Sequence, residues 1–232
     1  KFAASAANAP FLEDPVLFPG EPGTYRLPEL TEGVDTYCWA HNETSTGVAA
    51  PIRRVAGSRE AGALTVIDGT SAAGALPVDI SQTDVYYFSP QKAFGADGGL
   101  WVAILSPEAI DRAAGVESSA HLEGAHRWVP PFLSLTTALN NSRKDQTLNT
   151  PAVIMMENQI RWLNNNGGLA WATTRCAKSA SILYSWAERS EYAAPFVVDA
   201  DARSNAVVTI DLDERVQASQ VLSILRENGI VD

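Results

Sequence analysis

Asp68 and Lys92 are the two residues of this chain whose surroundings suit reactive chemistry. Leu64 to Ile67 is a short apolar run that ends in Asp68 and continues as Gly69-Thr-Ser-Ala-Ala73. An ionised carboxylate at the end of a buried strand needs a cationic or hydrogen-bonding partner, because burying it alone is costly. Asp is also a good helix N-cap, and both roles stay open here. A metal role is weak, since no histidine or second carboxylate stands near Asp68 in sequence. Lys92 lies on a loop between two strand-forming runs. Val85 to Phe88 is stopped by Ser89-Pro90; Leu100 to Leu105 is opened by Gly98-Gly99 and closed by Ser106-Pro107. Burial between two strands disfavours an ammonium ion and lowers a lysine's pKa. The neutral amine that results is the form Schiff-base chemistry requires. The plain alternative is a solvated loop lysine.

A lysine and a carboxylate on adjacent strand ends suit the two protein groups that pyridoxal phosphate needs above all. The lysine binds the cofactor and moves protons at the substrate's α-carbon, and the carboxylate keeps the pyridine nitrogen protonated. Neither GxGxxG nor GxxxxGK[ST] occurs, which argues against dinucleotide and nucleoside-triphosphate binding. His121 and His126 fall in a polar, aromatic segment from Glu117 to Pro131, where a solvated role is the ordinary one.

The elements that must position these groups alternate along the chain. Residues 11–33 read as loops around one brief strand. Val34 to Ala40 is a strand running into His41-Asn-Glu-Thr-Ser-Thr-Gly47, a polar loop at a strand's carboxyl end, where open α/β sheets bind ligands. Its composition suits a plain turn equally. Pro107 to Gly115 is a short helix, and Asn140 to Gln146 a polar turn. Asn149 or Thr150 caps a helix with Pro151 in its first turn. That helix carries Ile154, Met155, Ile160, Trp162 and Leu163 and stops at Asn164-Asn-Asn-Gly-Gly168. A second helix runs to about Arg189, with Trp171, Ile182, Leu183 and Trp186 expected in the core. Phe196 to Val198 and Ala206 to Asp211 alternate as strands, and Ser219 to Glu227 is a helix. The expected architecture is α/β. A mostly parallel sheet flanked by helices spans residues 1–190, and residues 191–232 start a small α+β domain.

Composition narrows the partners. With 46% apolar and 19% charged residues the chain reads as a soluble globular protein. A net charge of −10 argues against nucleic acid or an anionic membrane as a bulk partner. It leaves room for a local cationic pocket. Cys38 and Cys176 form no metal-ligand pattern and read as reduced core residues of a cytoplasmic chain. No apolar run reaches membrane-spanning length and no signal-peptide pattern opens the chain. Lys1 to Pro10 begins in mid-helix pattern without a cap, so an internal piece of a longer protein is expected.

Ser89-Pro-Gln-Lys-Ala-Phe-Gly-Ala-Asp-Gly-Gly-Leu-Trp101 resembles the cofactor-lysine segment of phosphoserine aminotransferases, in particular the actinobacterial form. His41 to Val48, Arg127-Trp-Val-Pro130, Asn149-Thr-Pro151 and Asn166-Gly-Gly-Leu169 resemble the same family in the same order. The resemblance implies fold-type I of the pyridoxal-phosphate enzymes and a homodimer with cofactor sites at the subunit interface. It implies reversible transfer of an amino group between O-phospho-L-serine and 2-oxoglutarate in serine biosynthesis. Lys92 would then be the cofactor lysine and Asp68 the pyridinium partner. Thr44 would reach the ring region, Gln91 the phosphate, and Asn149 and Thr150 the phosphate bound by the other subunit. The family's ring-stacking aromatic residue, phosphate cradle and substrate-gripping arginines match no position here, Arg127 and Arg143 included. The piece alone is therefore expected to be inactive. The alternatives are a related aminotransferase or desulfurase of the same fold type, or a non-catalytic α/β interaction protein.

Overall fold

The computed structural model describes residues 2–119, 129–144 and 150–230. In chain order the strands are β1 (Thr36–Ala40), β2 (Asn42–Glu43), β3 (Val48–Ala49), β4 (Leu64–Asp68), β5 (Val85–Phe88), β6 (Val102–Leu105), β7 (Ala193–Pro195) and β8 (Ile210–Leu212). The helices are α1 (Phe2–Ala7), α2 (Pro107–Ser119), α3 (Leu135–Ser142), α4 (Thr150–Asn165), α5 (Gly168–Arg189) and α6 (Ala218–Glu227). One sheet holds β1, β4, β5 and β6 in that order. The first three are parallel, as expected of an α/β chain, and β6 closes the edge antiparallel to β5. Ala40 pairs with Asp68 and Asp68 with Tyr87, so the carboxyl ends of three strands stand level. The main core lies on this sheet: Ile67, Tyr86 and Phe88 pack with Met156 of α4 and with half-buried Trp39, Phe94 and Leu100.

The amino end of the sheet is locked by a buried ion pair. Asp84, just before β5, accepts both Nη groups of Arg54, the Thr65 N–H at 2.7 Å and the Ser106 hydroxyl at 3.1 Å. Ser106 also caps α2 by accepting the Ala109 N–H at 3.1 Å, with Pro107 in the first turn. That helix therefore runs past Gly115 to Ser119. Helix α3, unforeseen in the sequence, is capped by Ser134 Oγ at the Thr137 N–H. Glu117 of α2 accepts hydrogen bonds from the Ser134 and Thr136 hydroxyls and ties the two helices together.

Other expectations shift. Residues 11–33 contain no strand; five prolines in positions 10–28 remove the backbone donors that pairing needs. The run from Leu100 becomes a strand only at Val102, and on the sheet edge Ile104 remains about half exposed. Helix α5 turns Ala172, Ala180, Tyr184 and Ala187 inward, while Ile182, Leu183 and Trp186 lie outside and Trp171 is half-buried. Small side chains let this helix approach closely; the bulky ones occupy its other face. The link from α4 to α5 needs Gly167 and Gly168, at φ 111° and 66°, where a side chain would be strained. Strand β7 lies before Phe196, because Val197 is spent packing on Val48 and Ala202. Cys38 is exposed and Cys176 half-buried, both as free thiols, so neither is the core residue expected. Among the described residues no helix is long and apolar enough to cross a membrane, and no group of three His, Cys, Asp or Glu could hold a metal ion.

Candidate cofactor site

The carboxyl ends of β1, β4 and β5 gather the polar groups. Asp68 ends β4 and its Oδ1 accepts the Thr70 N–H at 2.9 Å. The phenol of Tyr87, its register partner on β5, stands beside this carboxylate. Burial, then the negative charge and hydrogen bond of Asp68, push the Tyr87 phenol well above its usual range. Asp68 thus has a hydrogen-bonding partner, as one of the two readings from sequence expects; the helix-cap alternative does not hold, because a turn and not a helix follows it. The turn is tightened by the Ala72 and Ala73 N–H groups, which both donate to the Gly69 carbonyl, at 2.9 and 2.8 Å. Gly69 lies against the Tyr86 ring, where an added Cβ would stand 2.6 Å from Tyr86 Oη. Only glycine fits there.

Tyr86 is held in turn. Its hydroxyl meets His41 Nδ1 at 3.1 Å, and both side chains are buried. Burial lowers the His41 pKa to about 4, so the imidazole is neutral at physiological pH. The His41 N–H donates to the Asp68 carbonyl at 2.9 Å, joining the end of β1 to the end of β4. Beyond it, Thr44 Oγ1 and Ser71 Oγ stand 2.6 Å apart, linking the loop after β2 to the Asp68 turn. Asn42 is buried with neither amide atom bonded among the described residues. Such a group is costly unless something else completes its hydrogen bonds.

Lys92 and Gln91 sit on a turn beyond β5. The Ala96 N–H donates to the Pro90 carbonyl at 3.1 Å and the Gly95 N–H to the Lys92 carbonyl at 2.9 Å. Buried Pro90 and Phe94, stacked on Phe88 at 5.1 Å between centroids, anchor this turn. Gln91 and Lys92 themselves are exposed. The expectation that flanking strands bury Lys92 is therefore corrected: the turn carries it past the strand ends, and β6 is an edge strand that does not cover it. Thr150 is exposed at the start of α4. Asn149, His121, His126 and Arg127 lie outside the described residues. Tyr86, Tyr87, Ser71 and Asn42 were not singled out from sequence. Only the buried-strand placement of Tyr86 and Tyr87 beside Asp68 hinted at them.

Proteins of known structure share this fold. Phosphoserine aminotransferase from Cytophaga hutchinsonii matches with a TM-score of 0.72 at 20% identity, over 91% of this chain and 56% of that one. A PLP-bound phosphoserine aminotransferase from Trichomonas vaginalis matches with a TM-score of 0.71 at 15% identity, over 88% and 53%. The fold is that of the fold-type I aminotransferases. Within that class, residues 24–231 match the aminotransferase class-V model, and the chain belongs to the aminotransferase class-V family. It is 54% identical to the phosphoserine aminotransferase of Rhodococcus opacus (strain B4), over 100% of its own length and 61% of that protein's. The chain thus spans less than two thirds of the curated relative it matches.

Proposed function

We propose that the protein containing this chain uses pyridoxal phosphate to transfer an amino group reversibly between O-phospho-L-serine and 2-oxoglutarate, a step of serine biosynthesis. The observation that carries the reading is the placement of Asp68 and the Lys92 turn beyond the carboxyl ends of adjacent parallel strands. The 54% identity to a phosphoserine aminotransferase supports the substrate pair.

The residues present fit the cofactor. The site offers an amine, a carboxylate that accepts the Thr70 N–H and neighbours the Tyr87 phenol, a pair of hydroxyls and a buried amide with no partner among the described residues. When bound, pyridoxal phosphate supplies an electron sink for the carbanion formed at the substrate's α-carbon. Lys92 attaches the cofactor, and its Nζ moves the proton at that α-carbon. Asp68 holds the proton on the pyridine nitrogen; the Thr70 N–H and the Tyr87 hydroxyl keep its carboxylate in one orientation. Thr44 serves the ring region and Gln91 the phosphate, while Asn149 and Thr150 serve the phosphate held by a second subunit of a homodimer. Residues 1–190 belong to the large cofactor-binding domain and residues 191–232 begin the smaller one. The reading puts the enzyme in the cytoplasm, in keeping with two free cysteines.

The test uses the full-length protein. Borohydride reduction in the presence of pyridoxal phosphate should label Lys92. Lys92→Ala should abolish glutamate-dependent amino transfer with little change in melting temperature, because an exposed turn position loses little packing. Label on another lysine, or turnover retained in the variant, would refute the assignment.

A further inference from the structure

We propose that Ser71 is a positioning residue for the cofactor, acting through Thr44. The inference deepens the pyridoxal-phosphate reading and rests on it. The two hydroxyls face each other at 2.6 Å across the gap between the loop after β2 and the Asp68 turn. Two hydroxyls sharing one hydrogen bond use one of their two protons between them, and the second remains for a ligand. An isolated threonine hydroxyl rotates; one bonded to a fixed neighbour presents its remaining proton or lone pairs in a set direction.

Both sides of the pair are held. Ser71 belongs to the turn closed by the Thr70 N–H at Asp68 and by the Ala72 and Ala73 N–H groups at Gly69, pressed against Tyr86. Thr44 stands beside Glu43, whose carboxylate accepts both the N–H and the hydroxyl of Ser45, at 3.1 and 2.7 Å. The Thr46 carbonyl accepts the Thr209 hydroxyl at 2.7 Å, and the Gly47 carbonyl accepts the Ser204 N–H at 2.9 Å. Ser71 therefore couples Thr44 to the turn that carries Asp68, and sets ring contact and carboxylate in register with each other. Preorganisation of this kind lowers the entropy lost when the ligand binds.

The experiment is a double-mutant cycle in the full-length protein: wild type, Ser71→Ala, Thr44→Val and the double variant. Its readout is the dissociation constant of pyridoxal phosphate, measured by absorbance on reconstituting the apoprotein. Ser71→Ala should weaken binding about three- to tenfold, the range of one net hydrogen bond. Thr44→Val should weaken it by at least as much, and the double variant should be no worse than Thr44→Val. Ser71→Thr keeps the hydroxyl and should restore wild-type binding. Additive losses, unchanged affinity in Ser71→Ala, or equal weakening in Ser71→Thr would overturn the inference while leaving the cofactor reading intact. Wild-type protein that binds no pyridoxal phosphate would overturn the reading and the inference together.

Discussion

Asp84→Asn tests how the sheet beneath the site is held. The Asp84 side chain is about 2% exposed, and its carboxylate receives Arg54 Nη1, Arg54 Nη2 at 3.0 Å, the Thr65 N–H at 2.7 Å and the Ser106 hydroxyl at 3.1 Å. The Asp84 N–H donates to the Thr65 carbonyl, and the Asp84 carbonyl accepts the Ser106 N–H, both at 2.8 Å. One residue thus joins the starts of β4 and β5 to the end of β6 and to the segment carrying Arg54. Asparagine keeps the shape but replaces one acceptor with an NH₂ group that faces other donors. It also leaves the Arg54 guanidinium, itself only 12% exposed, without its counter-charge. Breaking one side of a buried pair costs about 3–5 kcal/mol. That is a large share of the roughly 5–15 kcal/mol that holds an ordinary domain together. Urea unfolding of the full-length protein, followed by circular dichroism, should show the loss as a lower midpoint. Arg54→Met combined with Asp84→Leu should recover much of it, because no unpaired charge is then buried. Burial alone would raise the Asp84 pKa, but the hydrogen bonds from Arg54, Thr65 and Ser106 and the charge of Arg54 hold it below its usual 3.8. A depressed carboxylate contributes stability above its unfolded pKa and loses it as pH falls through the folded value. The wild type should therefore show an acid-induced loss below about pH 3.8 that Asp84→Asn lacks. A cost under about 1 kcal/mol, or a double variant worse than the sum of the singles, would refute the reasoning.

Three further outcomes are expected. Gly69→Ala places a methyl group 2.6 Å from Tyr86 Oη, which His41 holds in place, so it should cost about 1–3 kcal/mol and lower the melting temperature; an unchanged melting curve would count against the packing described. His41 is buried neutral with its pKa lowered from 6.5 to about 4, so the unfolded chain takes up its proton first and stability should fall as pH drops through that window. His41→Gln should flatten the midpoint-against-pH profile between those values, and a profile identical to wild type would show that another group titrates there. Tyr87→Phe removes the phenolic hydroxyl beside Asp68 and should slow amino transfer about tenfold while borohydride still labels Lys92; an unaltered rate would mean that the Thr70 N–H alone orients the carboxylate.

Much of this chain was legible because the relevant signals are local. Apolar runs bounded by Ser-Pro and Gly-Gly located β5 and β6, and the Asn-Asn-Gly-Gly stop between two helical patterns located α4 and α5. The same local reading put Asp68 at a strand end and Lys92 on the turn after the next strand, and the structure keeps both there. Strand order and facing were not written in this way. Val85-Tyr-Tyr-Phe88 offers two tyrosines that no pattern distinguishes; only register against β4 sends Tyr87 to Asp68, while Tyr86 meets His41 and presses on Gly69. The apolar run ending at Leu105 looked like a central strand until pairing put it antiparallel at the edge. Helix α5 shows the same limit, since its large apolar residues suggested the inward face that its alanines and Tyr184 occupy. Propensity and periodicity depend on a residue's neighbours in sequence. Burial, register and hydrogen-bond partners depend on elements far along the chain, and those contacts exist only once the chain has folded.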